Sequence, residues 1–166
     1  MADKKTEIPI PPRGTHGTRM PGGPVFRALS KPYLNRELKR LKDPNASEQH
    51  KFMGFPVAVL TTIGARTGQE RAQVLGAFPD GPDAWLVIAS KGGASTHPHW
   101  FVNIAKNPDK VWLQVANRKM RVEVESLQGN AREDAYARVV AVAKNYAGYP
   151  KKTDREIPVL RLTPAE

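Results

Sequence analysis

Hydrophobic residues change their spacing along this 166-residue chain, from a helical pattern to a strand pattern. Leu34, Leu38 and Leu41 recur at intervals of four and three with basic residues between them, which predicts a helix over residues 25–42. Pro32 is expected to break this helix or to start its second half. The basic helical segment, residues 25–51, could pack on the domain, act as a lid, or lie on a membrane surface.

After Pro56, short apolar and β-branched runs alternate with turn residues, a pattern typical of strands joined by hairpins. The predicted strands are Val57 to Ile63, Arg71 to Phe78, Ala84 to Ser90, Lys110 to Ala116, Lys119 to Leu127, and Ile157 to Leu162. A hairpin is expected around Asn117-Arg118. Its second arm alternates three apolar with three charged residues, which predicts a sheet with one face in water: Met120, Val122 and Val124 against Arg121, Glu123 and Glu125.

Two further helices interrupt these strands. Pro98 is acceptable in a first helical turn and Pro108 follows the stop, so a short helix is predicted over residues 98–106. Asn130 and Glu133 suit the N-terminal cap of a helix over residues 131–146. Its apolar stripe is Ala135, Val139, Val142, Ala143 and Tyr146. Five or six antiparallel strands with inserted helices indicate a compact α+β barrel.

Composition narrows the function. Without cysteine, the chain has no disulfide, thiol catalyst or thiolate metal site. No apolar run reaches bilayer length, and the proline-rich start does not resemble a secretory signal, so a cytoplasmic protein is expected. Residues 1–24 contain five prolines and four glycines and are expected to form a mobile tail or to lie over the surface.

The net charge of +10 implies an acidic partner: nucleic acid, an anionic membrane or a polyanionic ligand. Residues 1–51 hold 11 basic and 5 acidic residues, a net charge of +6. Nucleic acid is disfavoured, because aromatic residues are not interleaved with these basic ones. Peripheral contact of the basic segment with the inner face of a membrane stays open.

Three patches could bind or react with a ligand. The first is the turn Gly64-Ala65-Arg66-Thr67-Gly68 with Arg71 beyond it, where backbone N–H groups, a hydroxyl and two arginines could hold a phosphate. An ordinary basic hairpin turn is the alternative, and the spacing is not that of a Walker loop.

The second patch runs from Ser90 to Asn103, where a strand delivers a serine and a lysine into a glycine loop that leads into a helix. A helix N-terminus favours anions, and Trp100 offers a flat face for a ring system, although it could equally be a core residue. His97 and His99 are separated by Pro98 with few carboxylates nearby, so no metal site is predicted. The third patch is Tyr146 and Tyr149, three residues apart, which could present hydroxyls to a pocket or pack in the core.

In combination, these patches resemble the deazaflavin-dependent nitroreductase family, whose members use coenzyme F420 and are similar to the flavin-binding split β-barrels. The resemblance covers about Phe55 to Pro164. It rests on four ordered motifs: Leu60-Thr61-Thr62-x-Gly64-x-x-Thr67-Gly68-x-x-Arg71, Ala89-Ser90-Lys91-Gly92-Gly93, Pro98-x-Trp100-x-x-Asn103-x-x-x-Asn107-Pro108, and Thr153-Asp154-Arg155-x-Ile157-Pro158.

The resemblance implies that residues 52–166 form a split-barrel cofactor-binding domain. It places the cofactor's phosphate and tail near Ala65, Arg66, Thr67 and Arg71. The deazaflavin would lie along Gln73, Val74, Leu75 and Gly76, and its ring system would be held by Ile88, Ala89, Ser90, Lys91, His99, Trp100, Phe101, Val102, Asn103 and Tyr146. Ser90, Tyr146 and Tyr149 would face a small organic acceptor and are the candidate catalytic residues, with solvent as an alternative proton source.

Three positions depart from the family pattern: Ala65 where a second basic residue is common, Gly76 where an aromatic is frequent, and Ala143 where the better-known type has a third tyrosine. These changes put nitroimidazole reduction in doubt and favour a quinone, enone, lactone or other nitro acceptor. The resemblance therefore implies an F420H2-dependent reductase, monomeric or homodimeric. FMN in place of F420, or a membrane- or nucleic-acid-binding protein, are the alternatives.

Overall fold

The computed structural model describes residues 8–19, 24–52 and 54–166. The helices are α1 (Pro24–Arg40), α2 (His99–Lys106), α3 (Gly129–Val142) and α4 (Tyr149–Lys152), with 3-10 helices at Lys91–Gly93 and Lys144–Gly148. The strands are β1 (Lys51–Phe52), β2 (Phe55–Ile63), β3 (Glu70–Gly76), β4 (Phe78–Pro79), β5 (Trp85–Ile88), β6 (Trp112–Val115), β7 (Arg118–Ser126) and β8 (Val159–Pro164). Within these ranges no helix is both long and apolar enough to cross a membrane.

The strands form one curled sheet in the order β1-β2-β6-β7-β8-β5-β4, with β3 paired to β2. Each pairing between described strands is antiparallel. The predicted α+β class, with mainly antiparallel strands and inserted helices, is confirmed as a split barrel.

Burial explains the two kinds of strand. β2 is buried along almost its whole length, because the core lies on one of its faces and α1 contacts it as well. β7 alternates as predicted: Val122 and Val124 are buried while Arg121, Glu123 and Glu125 are exposed. One core cluster contains Leu60, Leu113 and Phe101 from β2, β6 and α2. A second contains residues of α3 and Tyr146.

The first helix runs through Pro32 without a break, so the prediction that this residue divides it is wrong. Proline removes one backbone donor, but the rest of the helix is held against the sheet by side-chain contacts. Gln114 of β6 donates a hydrogen bond of 3.2 Å to the carbonyl of Glu37, and the Tyr33 ring contacts Phe52 at 4.9 Å.

Several predicted boundaries are corrected. The hairpin turns at Ala116-Asn117, because Val115 pairs with Arg118 and Ala116 takes a φ of 54°. The strands predicted over 84–90 and 157–162 are 85–88 and 159–164.

The third long helix also differs at both ends. It begins at Gly129 after an extended Gln128, which provides no side-chain cap, so the predicted Asn130–Glu133 cap is wrong. The helix ends at Val142, and Tyr146 lies in the 3-10 helix that follows. Val142, predicted to be in the apolar stripe, is 56% exposed. The buried residues pass from Val139 in α3 to Tyr146 in the 3-10 helix, so they do not follow the spacing of one straight α-helix.

Candidate functional site

The turn between β2 and β3 is fixed by its own backbone. Gly64 donates to the Gln69 carbonyl at 2.7 Å, and Gly68 donates to the Gly64 carbonyl at 2.9 Å. The Thr67 hydroxyl accepts the Gln69 N–H at 3.2 Å, and Gly68 has a φ of 67°. The turn is therefore a defined loop with its conformation set by short local bonds.

A buried amide connects this turn to α2. The side-chain oxygen of Asn103 accepts the Ala65 N–H at 3.0 Å, and its nitrogen donates to the Thr62 hydroxyl at 3.2 Å. Asn103 was predicted to hold the ring system. That role stays a prediction; the side chain also fixes the turn, so it joins the first patch to the second.

Two cations remain free beside this turn. Arg66 and Arg71 are exposed, and neither forms an ion pair with any described residue. Because the turn is held without them, both guanidinium groups are available to an anion.

The glycine loop after β5 has an unusual backbone. Lys91, Gly92 and Gly93 have φ values of 44°, 62° and 84°, and the Lys91 ammonium donates to Thr96 at 2.9 Å. A Cβ on Gly93 would lie 2.9 Å from Lys152 Cβ and 3.0 Å from the Tyr149 carbonyl. Only glycine allows this approach, which brings the second patch against the third.

Arg155 fixes this loop through hydrogen bonds to backbone carbonyls. Its guanidinium donates to the carbonyls of Ala94, Ala89 and Ser90 at 2.9, 3.2 and 3.0 Å, and weakly to that of Glu156 at 3.4 Å. The residue is only 4% exposed, and burial lowers the pKa of the guanidinium. It forms no ion pair with a described carboxylate, so its charge is balanced by backbone dipoles.

The N-terminal segment lies over the same loop. Gly14 and Thr18 donate to the carbonyls of Ser95 and Gly93 at 2.8 and 2.9 Å. We call residues 8–19 the strap. Asp154 accepts the Thr15 hydroxyl and N–H at 2.7 and 2.8 Å, and these hydrogen bonds, with the hydroxyl the largest cause, lower the pKa of Asp154 to about 2.

His97 connects the strap to Arg155. Arg155 donates to His97 Nδ1 at 3.0 Å, so the proton of the neutral ring lies on Nε2, which donates to the Pro11 carbonyl at 2.6 Å. Burial lowers the pKa of His97; the Pro11 bond opposes the shift and the Arg155 charge adds to it. Both ring nitrogens are thus used in structural bonds.

The predicted tyrosines lie among aromatic rings. Tyr146 contacts Tyr149 at 5.1 Å, Phe78 at 5.4 Å and Phe55 at 6.4 Å between ring centroids, each edge to face. Tyr136 donates to the Tyr146 carbonyl at 2.6 Å. Burial raises the pKa of Tyr136 to about 12 and, more strongly, that of Tyr146, so the Tyr146 hydroxyl stays protonated at neutral pH.

Gly76 ends β3 against this cluster. A Cβ on Gly76 would lie 2.9 Å from the Tyr146 hydroxyl and 3.1 Å from Phe78 Cε2. The absence of a side chain at Gly76 therefore leaves the space that the Tyr146 hydroxyl occupies.

The predicted site residues divide by burial. Phe101 and Ala89 are fully buried, so their side chains support neighbours rather than face a ligand. Ile88, Ser90, Trp100 and Tyr146 are buried at 7–9% exposure. The half-buried or exposed members are Ala65, Arg66, Thr67, Arg71, Gln73, Val74, Leu75, Gly76, Lys91, His99, Val102 and Tyr149.

Sequence reasoning missed the supporting residues. Arg155 lies in a recognised motif but received no role, because nothing in its neighbours indicates that it is buried. Thr62 and His97 have roles that depend on contacts 41 and 58 residues distant in the chain.

Comparisons with known proteins identify the family. The family model described as F420H(2)-dependent quinone reductase matches residues 34–164. F420H(2)-dependent quinone reductases of two Mycobacterium tuberculosis strains, H37Rv and CDC 1551, are each 36% identical over 142 residues, covering 79% of this chain and 93% of the relative.

Solved structures are similar as well. One described as F420-H2 dependent reductase FDR-A is 33% identical with a TM-score of 0.58, covering 64% of this chain and 93% of that one. Another, described as a domain-swapped dimer, is 27% identical with a TM-score of 0.62, covering 84% of this chain and 99% of that one. These findings support coenzyme F420 as the cofactor and do not support the FMN alternative.

Proposed function

The chain belongs to the F420H(2)-dependent quinone reductase family, and from this premise we propose that it reduces a quinone with F420H2 held between the turn at residues 64–68, β3 and the glycine loop. The observation that supports this placement is a pair of exposed arginines, Arg66 and Arg71, with no ion-pair partner in the described part of the chain, beside a turn that is already fixed without them.

The residues present fit the cofactor. Coenzyme F420 has a phosphate and an oligoglutamate tail, both anionic. Arg66, Arg71 and the Thr67 hydroxyl offer charged and neutral donors at one end, and Lys91 offers a cation at the other. The exposed or half-buried β3 residues between them, Gln73 to Gly76, supply a surface for a planar ring.

When bound, the reduced cofactor supplies a hydride, which together with one proton converts a quinone to a quinol. The protein's part is to orient the acceptor and to stabilise negative charge on its oxygen. Tyr146 suits this role as a hydrogen-bond donor, because its hydroxyl is protonated at neutral pH and burial raises its pKa further. Ser90 and Tyr149 are the further donors we assign to the acceptor, and solvent can supply the proton.

Cofactor titration tests the anion site. We expect Arg71→Ala to weaken F420 binding by about 1–3 kcal/mol through loss of a charge-assisted hydrogen bond. Arg121→Ala is the matched control, because Arg121 is also exposed on a strand and its removal lowers the net charge equally. Equal affinity losses in the two variants would contradict a local phosphate contact, and tighter binding of FMN than of F420 would contradict the cofactor.

Turnover tests the acceptor end. We expect Tyr146→Phe to lower kcat/KM for the quinone while the F420 dissociation constant stays unchanged. A variant that loses cofactor affinity and keeps turnover would place Tyr146 in the cofactor site instead.

We also propose that α1 contacts an anionic membrane surface. Val25 and Leu29 are 74% and 75% exposed on a helix that ends in Lys39 and Arg40. Sedimentation with anionic vesicles should fall with added salt and fall further in Leu29→Ser. Salt-independent sedimentation, or none, would count against this contact.

Since a relative is described as a domain-swapped dimer, homodimerisation is proposed too, with light scattering as its test.

A further inference from the structure

An aromatic row connects the acceptor end of the site to α1. The row begins at Tyr149, whose ring contacts that of Tyr146 at 5.1 Å. Tyr146 contacts Phe55 at 6.4 Å, Phe55 contacts Phe52 at 6.4 Å, and Phe52 contacts Tyr33 of α1 at 4.9 Å. We call these five residues the aromatic row. Phe78 packs beside its middle, at 6.2 Å from Phe55.

The row comes nearer to solvent as it leaves the site. Tyr146 is 9% exposed, Phe55 is half-buried and Phe52 is 40% exposed. Phe78 is 3% exposed, so it forms the floor rather than the surface. Phe52 is therefore the accessible member of the row and Tyr33 beside it is half-buried, whereas the inner end meets the proposed acceptor position.

Exposed apolar residues continue the row along α1. Leu29 precedes Tyr33 by four residues and Val25 precedes Leu29 by four, so the three share one face of the helix. Of the five large apolar side chains that are exposed in the described part of the chain, three belong to this end: Val25, Leu29 and Phe52. The other two are Ile10 in the strap and Val142 at the end of α3.

We propose that the aromatic row binds the hydrocarbon tail of a lipid quinone whose ring is held at Tyr146. This inference rests on the proposed function, and it specifies the acceptor as a quinone with an isoprenoid or alkyl tail. A tail of this kind has no polar atoms, so it needs an apolar surface that begins at the ring site and leads outward. The row has both properties, and its outer end meets the face of α1 that we expect at the membrane surface.

The test compares two naphthoquinones with the same ring, one bearing a tail of two isoprene units and the other a methyl group. The measured quantity is the ratio of their kcat/KM values with F420H2. We expect the tail to raise kcat/KM about tenfold or more in the native chain, mainly through KM, because each buried methylene adds binding. Phe52→Ser should lower that ratio about three- to tenfold.

Val142→Ser is the matched control, since Val142 is an exposed apolar residue outside the row. It should leave the ratio unchanged, which separates a specific contact from a general preference for apolar acceptors. Leu29→Ser, at a position that is 75% exposed and outside the core, should lower the ratio only for a longer tail of four isoprene units.

Three results would overturn the proposal: a ratio near one in the native chain, an equal loss in Phe52→Ser and Val142→Ser, or an unchanged ratio in Phe52→Ser. If Phe52→Ser loses vesicle binding or dimerisation while the ratio stays, the row covers a membrane or a second copy instead. Failure of the proposed function looks different, because the methyl quinone would then not oxidise F420H2 at all.

Discussion

Two glycine loops border the proposed cofactor site, and they are held in different ways. The turn at residues 64–68 is fixed by one neutral amide, Asn103, and by its own short hydrogen bonds. The loop at residues 90–93 is fixed by a buried guanidinium, Arg155, which donates to several carbonyls at once.

The difference follows from what each loop leaves unpaired. The turn lacks a partner for one backbone N–H, which a neutral acceptor can satisfy. On either side of the glycine loop, the carbonyls of Ala89, Ser90 and Ala94 face the same point, and they need donors in a fixed fork. The stability of a loop held by one charged side chain should depend on that residue far more than the stability of a loop held by several separate hydrogen bonds.

Removal of Arg155 should have the largest effect. Arg155→Ala leaves buried carbonyls without a donor at about 1–3 kcal/mol each, so after relaxation we expect unfolding free energy to fall by about 3–5 kcal/mol in denaturant titration. The unfolding free energy of Arg155→Lys should lie between those of the native chain and Arg155→Ala, because an ammonium cannot reproduce the forked guanidinium geometry. Arg118→Ala, which removes an exposed ion pair with Asp83, should change stability by less than about 1 kcal/mol. Similar losses of unfolding free energy in all three variants would contradict the central role of Arg155 in this loop.

Asn103→Ala should come next. It removes the bonds to Ala65 and Thr62, and we expect a loss of about 1–3 kcal/mol in unfolding free energy. Asn107→Ala is the matched control, since that amide makes one bond of 3.4 Å to the Ile63 carbonyl. The faster hydrogen exchange expected at Ala65 should be confined to the Asn103 variant. An equal effect at Asn107 would mean that the turn is held mainly by its own backbone.

Gly76→Ala should have a smaller effect, with a characteristic pattern. The added Cβ meets the Tyr146 hydroxyl at 2.9 Å, so we expect a cost of about 1–2 kcal/mol, most of it removed in a Tyr146→Phe background. Gly148→Ala meets nothing within 4 Å at a helical backbone and should be neutral or slightly stabilising. If the double variant shows no rescue, the clash is with Phe78 rather than with the hydroxyl.

The smallest expected effect is a pH dependence of the strap. The pKa of His97 is lowered in the folded protein, so between that pKa and the ordinary 6.5 the unfolded chain binds more protons. The contribution of His97 to stability is present above 6.5 and is lost as the pH falls toward the lowered pKa. Exchange of the Gly14 and Thr18 amides should therefore accelerate, relative to the intrinsic rate, from pH 7.5 to 5.5, and His97→Gln should flatten the trend. An unchanged trend in that variant would assign the pH dependence to another group.

The sequence predicted the sheet better than the site. Alternation in β7 and apolar runs in β2 are local signals, so the strands were found even where their ends moved. The helix boundaries at Pro32 and Val142 were missed because tertiary contacts overrode local preference there. Burial of Phe101 and the use of Asn103 as a cross-link could not be predicted, since both depend on partners distant in the chain.

The sequence by itself determined the charge, the order of the strands along the chain, and the four motifs that indicate a deazaflavin reductase. Only the tertiary structure decided which polar residues are exposed and which hold the backbone. Arg66, Arg71 and Arg155 have the same side chain, yet the first two are exposed and the third is buried. The physical reason is that hydrogen-bond partners are set by distance in space, which spacing along the chain does not record. The same holds for the aromatic row, whose members come from three separate stretches of the chain: Tyr33, Phe52 with Phe55, and Tyr146 with Tyr149.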